Sequence, residues 1–303
     1  MSAAAKEDDL SDLLVVANRA AGGEPDRLDS AVRTLRAAVD GDVTVARTES
    51  PDELDGVLDD LGGRTLVVAG GDGSVHLVVQ RLWQRSPGAL RRVTVGLVPL
   101  GTGNDLARGL GLPLAPDEAA RVVAAGRARQ LDLLVADDGQ VVVNAVHAGV
   151  GAVAARHSGR LKESLGPLAY PVGALVAGVG ETGWSLRVTL DGVVVHDGAT
   201  LMVGVANAPS IGGGTRLCPG ARPDDGYLDV VVSSAVERPA RLAFGAALRD
   251  GTHVHRPDVA CLRGRSATIA GDAVHHDVDG EVLGPTASRT YSVVAGAWRL
   301  LAS

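Results

Sequence analysis

The chain of 303 residues has few aromatic residues, two cysteines and two lysines. Aromatic residues make up 2% of it, so an apolar binding pocket must be built mainly from valine, leucine and alanine. Cys218 and Cys261 stand in no Cys-x-x-Cys or Cys/His spacing typical of a zinc site. We therefore expect a reducing, cytoplasmic setting.

The sequence also lacks a recognisable signal peptide, lipidation motif or membrane span. Its first twelve residues are acidic and lead directly into a strand-like run. The longest uncharged run, residues 164–180, contains Pro167 and Pro171, so we predict a buried helix after a loop in this region.

Acidic residues outnumber basic ones, 36 against 29, and the formal net charge is −7. This balance argues against nucleic acid as the main partner and against broad electrostatic binding to anionic lipid. A local patch of Arg156, Arg160 and Lys162 beside the apolar stretch Leu165 to Val179 predicts transient, peripheral contact with a bilayer. The sequence leaves open a homodimer.

The chain divides by pattern near residue 126. Residues 1–126 alternate strand-like and helix-like segments, which predicts a parallel, helix-covered α/β sheet. Residues 127–303 contain short strand-like runs with Asp-Gly turns at 138–139, 191–192 and 225–226, which predicts hairpins in an antiparallel, β-rich sandwich. The C-terminal tail, about 290–303, is expected to return to the first domain.

The stretch Leu66 to Ser74 combines a strand-like run with a glycine-rich loop. Gly70, Gly71 and Gly73 surround Asp72, and apolar residues at helical spacing follow. Glycine allows backbone N–H groups to approach phosphate oxygens, and a helix N-terminus favours anions. A carboxylate among these glycines predicts that a cation such as Mg²⁺ accompanies the phosphates. The alternative interpretation is a simple turn.

A second glycine-rich loop follows the next strand-like run. Residues 99–108 read PLGTGNDLAR, with helical spacing at the end. Neighbouring parallel strands end at one edge of a sheet, where open α/β sheets bind ligands. The two loops therefore predict one ligand site, with a metal-bound nucleotide as the ligand.

Five motifs in order resemble the diacylglycerol kinase catalytic-domain family, particularly its bacterial lipid kinase branch, and the related sphingosine kinases. Two are the glycine loops, and the others are GPLAY at 166–170, DGYLD at 225–229 and DGE at 279–281. The resemblance covers nearly the whole chain. It implies a first domain of the NAD kinase/phosphofructokinase type that binds ATP with Mg²⁺. It further implies that a lipid hydroxyl, most simply that of diacylglycerol, is phosphorylated in a cleft against the second domain.

The resemblance also implies the nucleotide-binding residues. They are Asn18, Thr48, Gly70, Gly71, Asp72, Gly73, Ser74, Thr102, Gly103 and Asn104. The family usually has Asn-Pro in its first loop, whereas Arg19 follows Asn18 here. We therefore expect a less rigid loop that contacts phosphate through a charge.

The same resemblance implies catalytic carboxylates, because phosphoryl transfer needs an acceptor for the hydroxyl proton. Asp72 is expected on the metal side, and the family assigns proton acceptance to the DGE tripeptide. Asp279 and Glu281 would share one face if they lie on a strand, and the sequence leaves open which is the base. The alternative is a surface Asp-Gly turn. His275 and His276 are expected to be solvated strand-end residues, and the alternative is that they contact the substrate.

The segment Arg222 to Tyr227 resembles a loop that holds a structural Mg²⁺ in bacterial members. Asp225 would provide a carboxylate, and Arg222 and Tyr227 would provide carbonyl oxygens, all suited to a hard cation. The alternative is a hairpin turn in which the Asp225 side chain accepts a hydrogen bond from its own backbone.

Other functions on this scaffold are a kinase for a sphingoid or soluble small-molecule hydroxyl and a non-catalytic nucleotide-binding regulator. NAD kinases share the Gly-Gly-Asp-Gly loop, but the second loop and the DGE tripeptide favour the lipid branch. The regulator is disfavoured because Asp72, Asp279 and Glu281 are all present. A P-loop mechanism is excluded because the Gly-x4-Gly-Lys-Ser/Thr motif does not occur.

Overall fold

The computed structural model describes residues 12–18, 25–150, 152 and 183–302. The chain forms two compact units, one containing residues up to Leu133 together with Ala295–Ser303, and the other Leu134–Val294. The sequence analysis placed the boundary near residue 126.

Several features singled out from the sequence lie outside the described residues. They are Arg19, the GPLAY motif, and the basic patch with its apolar stretch, Arg156, Arg160, Lys162 and Leu165 to Val179. In the part of the chain that is described, no helix is long and apolar enough to cross a membrane.

The first unit is a parallel sheet with helices between its strands. Its elements are β1 (Leu13–Asn18), α1 (Pro25–Ala38), β2 (Val43–Thr48), α2 (Pro51–Asp59), β3 (Thr65–Gly70), α3 (Asp72–Arg85), α4 (Pro87–Arg92), β4 (Thr94–Pro99), α5 (Asp105–Gly109), α6 (Pro116–Ala124), the start of β5 (Ala128–Ala136) and the end of β16 (Thr286–Leu301). The strand order is β2-β1-β3-β4-β16, and all of these neighbours are parallel.

Burial on both faces of the sheet explains the apolar strand sequences of the first unit. All residues from Leu13 to Ala17 are buried, as expected for a parallel strand covered by helices on both sides.

Local capping explains where α2 begins. Ser50 Oγ accepts a hydrogen bond from Glu53 N–H at 3.2 Å, while the Glu53 carboxylate accepts one from Glu49 N–H at 2.8 Å.

The second unit is an antiparallel β sandwich. Its elements are the end of β5, β6 (Val141–Val142), β7 (Ala145–Gly149), β8 (Trp184–Leu190), β9 (Val193–Thr200), β10 (Met202–Ala206), β11 (Leu228–Ser233), α7 (Arg238–Arg249), a 3₁₀ helix (His253–His255), β12 (Val259–Gly264), β13 (Ser266–Val274), β14 (His276–Val278), β15 (Glu281–Val282) and the start of β16. One sheet has the order β12-β11-β10-β7-β14-β15, and the other pairs β16, β13, β8 and β9. Side chains from both sheets share one buried core.

The Asp-Gly turns and one helix show where local sequence signals succeed and fail. At 191–192 both residues have positive φ, 49° and 83°, and join β8 to β9 in the predicted hairpin. The pair at 225–226 is not a hairpin turn, because it ends the long connection from β10 to β11. Helix α7 was not predicted, since the pattern after residue 127 indicated strands.

Candidate functional site

The two glycine-rich loops of the first unit lie against each other, as the sequence predicts. A Cβ atom added to Gly101 would lie 2.5 Å from the Cα of Gly71, and one added to Gly71 would lie 3.0 Å from the Cα of Gly101. Because β3 and β4 are adjacent and parallel, with Gly70 opposite Pro99, both loops emerge at the same edge of the sheet. Any side chain at Gly71 or Gly101 would push the loops apart.

Asp72 joins the two loops through its carboxylate. Oδ2 accepts a hydrogen bond from Asp105 N–H at 3.0 Å, and Oδ1 accepts one from Leu106 N–H at 3.1 Å. These amides open α5, and its own N-cap residue, Asn104, makes no side-chain cap. Asp72 therefore caps this helix from the neighbouring loop. The sequence predicts a metal ion as the partner of this carboxylate, and the contacts with the amides were not predicted.

Asn104 closes the second loop on itself. Its φ of 52° lies in the left-handed region, which asparagine tolerates better than most residues. Its Oδ1 accepts from Gly101 N–H at 3.1 Å, and its Nδ2 donates to Gly101 O at 2.7 Å. The side chain is thus used to shape the loop, while Thr102 is exposed and Gly103 is half-buried.

A cavity of about 160 Å³ opens beside the first glycine loop. Three of its lining residues, Asn18, Thr48 and Ser74, were predicted from the sequence. The other eight lining residues were not predicted from the sequence: Val16, Glu49, Ser50, Pro51, Leu54, Val68, Leu77 and Val78. The Ser-Pro helix start directly after β2 was the available signal, because it marks the carboxyl end of a parallel strand. The other residues predicted to bind the nucleotide do not line this cavity: Gly70, Gly71, Asp72, Gly73, Thr102, Gly103 and Asn104.

The cavity lies at the point where the strand order of the sheet reverses. From β1 the chain first adds β2 on one side and then crosses to add β3 and β4 on the other. Asn18 and Thr48 are register partners at the ends of β1 and β2. A crevice at such a reversal is the usual ligand site of open α/β sheets.

In the second unit, the DGE tripeptide forms the turn between β14 and β15. Asp279 and Gly280 have φ values of 50° and 94°, and Val278 pairs with Glu281 across the turn. Two successive positive φ values are typical of the tight hairpin turn that Asp-Gly favours. The expectation that Asp279 and Glu281 share one face of a strand is therefore wrong, because Asp279 lies in the turn.

The two carboxylates of the tripeptide have different surroundings. Asp279 accepts three backbone hydrogen bonds, from Val143 N–H at 2.7 Å, Asn144 N–H at 2.8 Å and Ala145 N–H at 3.0 Å. It thereby anchors the segment between β6 and β7 to the turn. Glu281 is exposed at the start of β15. Asp279 is therefore an anchoring carboxylate, and Glu281 is an accessible one.

Asp277 and His147 form a buried polar pair behind this turn. Asp277 Oδ1 accepts from Gly280 N–H at 2.8 Å, and its Oδ2 lies 3.7 Å from His147 Nε2. Burial lowers the pKa of His147, and the nearby Asp277 carboxylate opposes that shift.

His276 and Tyr291 form a second buried pair, with 2.8 Å between His276 Nδ1 and the Tyr291 hydroxyl. Burial, assisted by the charge of Arg289, lowers the pKa of His276 to about 4, and burial raises the pKa of Tyr291. The expectation of solvated strand-end histidines is wrong for His276, which is fully buried. His275 is half-buried, with Nδ1 2.8 Å from Leu283 O.

The loop predicted to bind a structural Mg²⁺ is occupied by an arginine. Asp225 Oδ1 accepts from Tyr227 N–H at 3.2 Å, as in the turn considered as the alternative, and its Oδ2 pairs with Arg263 Nη2. The Arg222 side chain is exposed, with Nε 3.7 Å from Asp224 Oδ1. Since a guanidinium already binds the carboxylate, this arrangement does not fit a hard divalent cation. Among the described residues, no group of three or more His, Cys, Asp or Glu side chains is placed to hold a metal ion.

The chain thus combines a parallel α/β domain that carries two adjacent glycine loops with an antiparallel sandwich. Two family models match the corresponding parts of the chain: the diacylglycerol kinase catalytic domain over residues 12–136, and the YegS C-terminal NAD kinase beta sandwich-like domain over residues 144–302. The chain belongs to this family, the YegS-type bacterial lipid kinases with a diacylglycerol kinase catalytic domain.

Similar proteins carry consistent names. A "probable lipid kinase YegS-like" of Xanthomonas campestris is 33% identical over 254 residues, 79% of this chain and 78% of that protein. Proteins of the same name from Stenotrophomonas maltophilia and Serratia proteamaculans are each 34% identical, over 64% and 58% of this chain. The matches span only 63% and 57% of the lengths of these two relatives.

Solved structures support the fold. A diacylglycerol kinase from Bacillus anthracis superposes with a TM-score of 0.72 and 21% identity, covering 97% of both chains. Another crystal structure from the same organism superposes with a TM-score of 0.78 and 23% identity, covering 98% of this chain and 99% of that chain.

Proposed function

We propose that the chain is an ATP-dependent kinase that transfers the γ-phosphoryl group of Mg·ATP to a lipid hydroxyl, with diacylglycerol or a related lipid as the acceptor. The observation that carries the proposal is the contact between the two glycine loops, tied together by Asp72, beside the cavity lined by Asn18, Thr48 and Ser74. Membership in a family whose relatives are named lipid kinases supports the acceptor class.

In this proposal the cavity accepts the nucleoside part of ATP. Its walls are largely aliphatic, which suits a planar base, and Asn18, Thr48 and Ser74 supply polar groups that can hydrogen-bond the ribose or the phosphates. Helix α3 starts next to it, with Gly71, which has no side chain, in an extended conformation at the N-cap. Backbone N–H groups at such a helix start are suited to phosphate oxygens.

The residues around Asp72 fit a magnesium ion that arrives with the nucleotide. Each carboxylate oxygen has two lone pairs, so one amide bond to each does not by itself exhaust them. When bound, Mg²⁺ would neutralise charge on the phosphates and orient the γ-phosphoryl group. The amide bonds to Asp105 and Leu106 would hold the Asp72 carboxylate in one orientation.

We assign proton acceptance to Glu281 and a positioning role to Asp279. In the reaction the acceptor hydroxyl oxygen forms a bond to the γ-phosphorus, the bond from that phosphorus to the β–γ bridging oxygen breaks, and ADP leaves. The hydroxyl proton passes to a carboxylate, which must be accessible to the acceptor. Glu281 is exposed, whereas Asp279 already accepts three backbone hydrogen bonds. Recruiting Asp279 as a base would weaken the anchor of the β6–β7 segment.

The test of the function is an assay with radiolabelled ATP and Mg²⁺ against a panel of acceptors. The panel contains diacylglycerol, monoacylglycerol, sphingosine, phosphatidylglycerol and soluble polyols. We expect label in a lipid product. Label only in soluble products would show a small-molecule kinase, and ATP binding without transfer to any acceptor would show a nucleotide-binding regulator.

The carboxylate roles are tested by Glu281→Gln and Asp279→Asn in parallel. We expect Glu281→Gln to lower kcat by about 10²- to 10⁴-fold while ATP affinity and the unfolding midpoint stay unchanged. Asp279→Asn should lower the midpoint, because an amide cannot replace both acceptor oxygens. A Glu281→Gln enzyme with normal kcat would refute the assignment.

We further propose that the enzyme meets its lipid transiently at the bilayer surface. Flotation with liposomes should recover only a minor, salt-sensitive fraction. Tight, salt-insensitive recovery would contradict transient contact. Sedimentation at several protein concentrations distinguishes a monomer from a homodimer.

A further inference from the structure

Three carboxylates gather at one end of the sandwich, before and within β11. Asp224, Asp225 and Asp229 have side chains only 18%, 20% and 20% exposed. Negative charges in a partly buried site are poorly solvated, so the loop needs nearby positive charge. The family resemblance implies that a structural Mg²⁺, bound by Arg222, Asp225 and Tyr227, supplies this positive charge.

In this chain, arginine side chains lie against these carboxylates. Arg263 pairs through Nη2 with Asp225 Oδ2, and its Nε lies 4.0 Å from Asp229 Oδ2. Its guanidinium carbon lies 4.8 Å from the centroid of the Tyr227 ring, and that of Arg265 lies 5.3 Å from the same centroid. With Arg222 beside Asp224 at 3.7 Å, three guanidinium groups accompany three carboxylates.

Sheet pairing fixes the position of Arg263. Strands β11 and β12 are antiparallel neighbours, and their register places Arg263 directly opposite Asp229. Opposite charges at such a cross-strand position stabilise the pair of strands. The contact is therefore set by the backbone register, and stacking on Tyr227 restricts the side chain further.

We propose that the Arg263 guanidinium is the permanent cation of the Asp225 loop and takes the place of the structural Mg²⁺ that the family resemblance implies. A guanidinium on Asp225 repels a divalent ion, and Mg²⁺ gives up its water shell reluctantly for anything short of near-octahedral oxygen geometry. The loop of this chain is therefore stable without a divalent cation. The inference concerns stability and does not depend on the proposed lipid kinase activity.

The test is thermal unfolding of the full chain without nucleotide, in excess Mg²⁺ and in excess EDTA. We expect the same Tm in both conditions. An ion saturating a folded-state site at a hundred times its Kd would raise Tm on the order of 5 °C. A wild-type Tm that rises with Mg²⁺, together with loss of that rise in Asp225→Asn, would overturn the proposal.

Variants at Arg263 give a second, independent readout. Arg263→Ala should lower Tm in EDTA and should recover part of the loss when Mg²⁺ is added, because the carboxylates are then uncompensated. Arg263→Lys is the matched control, since it keeps the charge but loses the planar fork, and we expect an intermediate Tm with little response to Mg²⁺. If Arg263→Ala unfolds like the wild type in EDTA, Arg263 is not the cation that holds this loop. If Arg263→Ala does not fold, the comparison of the wild-type Tm in Mg²⁺ and in EDTA tests the proposal by itself.

Discussion

Gly101→Ala should disrupt the contact between the two glycine loops. The new Cβ would lie 2.5 Å from the Cα of Gly71 and 3.0 Å from Asn104 Oδ1. Ordinary carbon–carbon contacts lie at about 3.5–4.0 Å, so the loops would have to separate by about 1 Å. The obstacle is backbone, which cannot rotate away as a side chain can.

The separation has a stability cost and a binding cost. Overpacking of this kind costs about 1–3 kcal/mol. If the loops part far enough to break both amide bonds to Asp72, now 3.0 and 3.1 Å long, each lost bond to the charged carboxylate adds about 1.5–3 kcal/mol. Misplacement of a phosphate-binding loop by about 1 Å can lower the rate on the order of a hundredfold.

The assay combines urea unfolding with calorimetric titration of Mg·ATP and steady-state kinetics. Gly56→Ala in α2 is the matched control, because its Cβ would meet nothing within 4 Å. That control should keep wild-type ATP affinity and gain up to about 1 kcal/mol from helix propensity. A Gly101→Ala protein that unfolds and binds ATP like the wild type would refute the reasoning that the loop contact forms the site.

Three further predictions concern other residues. Asp72→Asn should destabilise the chain by about 1–3 kcal/mol in urea, because one of two amides loses its acceptor; an unchanged midpoint would contradict the bridging role. The pKa of His276 is about 4 in the folded chain and 6.5 in the unfolded chain. Between pH 4 and pH 6.5 the unfolded chain therefore binds more protons than the folded chain. Stability should therefore fall by about 3 kcal/mol as pH drops from 6.5 to 4, with His147 acting in the same direction. In His276→Gln most of this slope should vanish, and a slope as steep as in the wild type would exclude His276 as its main source. Trp298→Phe should cost about 1–3 kcal/mol, because the Asp132 carbonyl loses the indole N–H donor now at 3.1 Å; equal urea midpoints would show that water replaces it.

The architecture and the adjacency of the two glycine loops follow from the sequence. Apolar runs such as Leu13 to Ala17 and the Ser50 helix cap are local signals, read within a few residues. Successive strand–loop–helix units can be covered only in a parallel sheet, so the loops after β3 and β4 had to meet at one edge. The Asp-Gly hairpin at 191–192 is local in the same way, because two positive φ values suit few residue pairs.

The partners of the charged side chains were decided only by the tertiary structure. Asp72 bonds amides 33 and 34 residues away, and Asp279 bonds amides 134 to 136 residues away. Arg263 reaches Asp225 because β11 and β12 pair in one particular register. A motif fixes which chemical groups are present, but a carboxylate can accept hydrogen bonds from an amide or a guanidinium, or can act as a ligand to a metal ion. Which of these it meets depends on packing between segments far apart in the chain, and no local pattern records that.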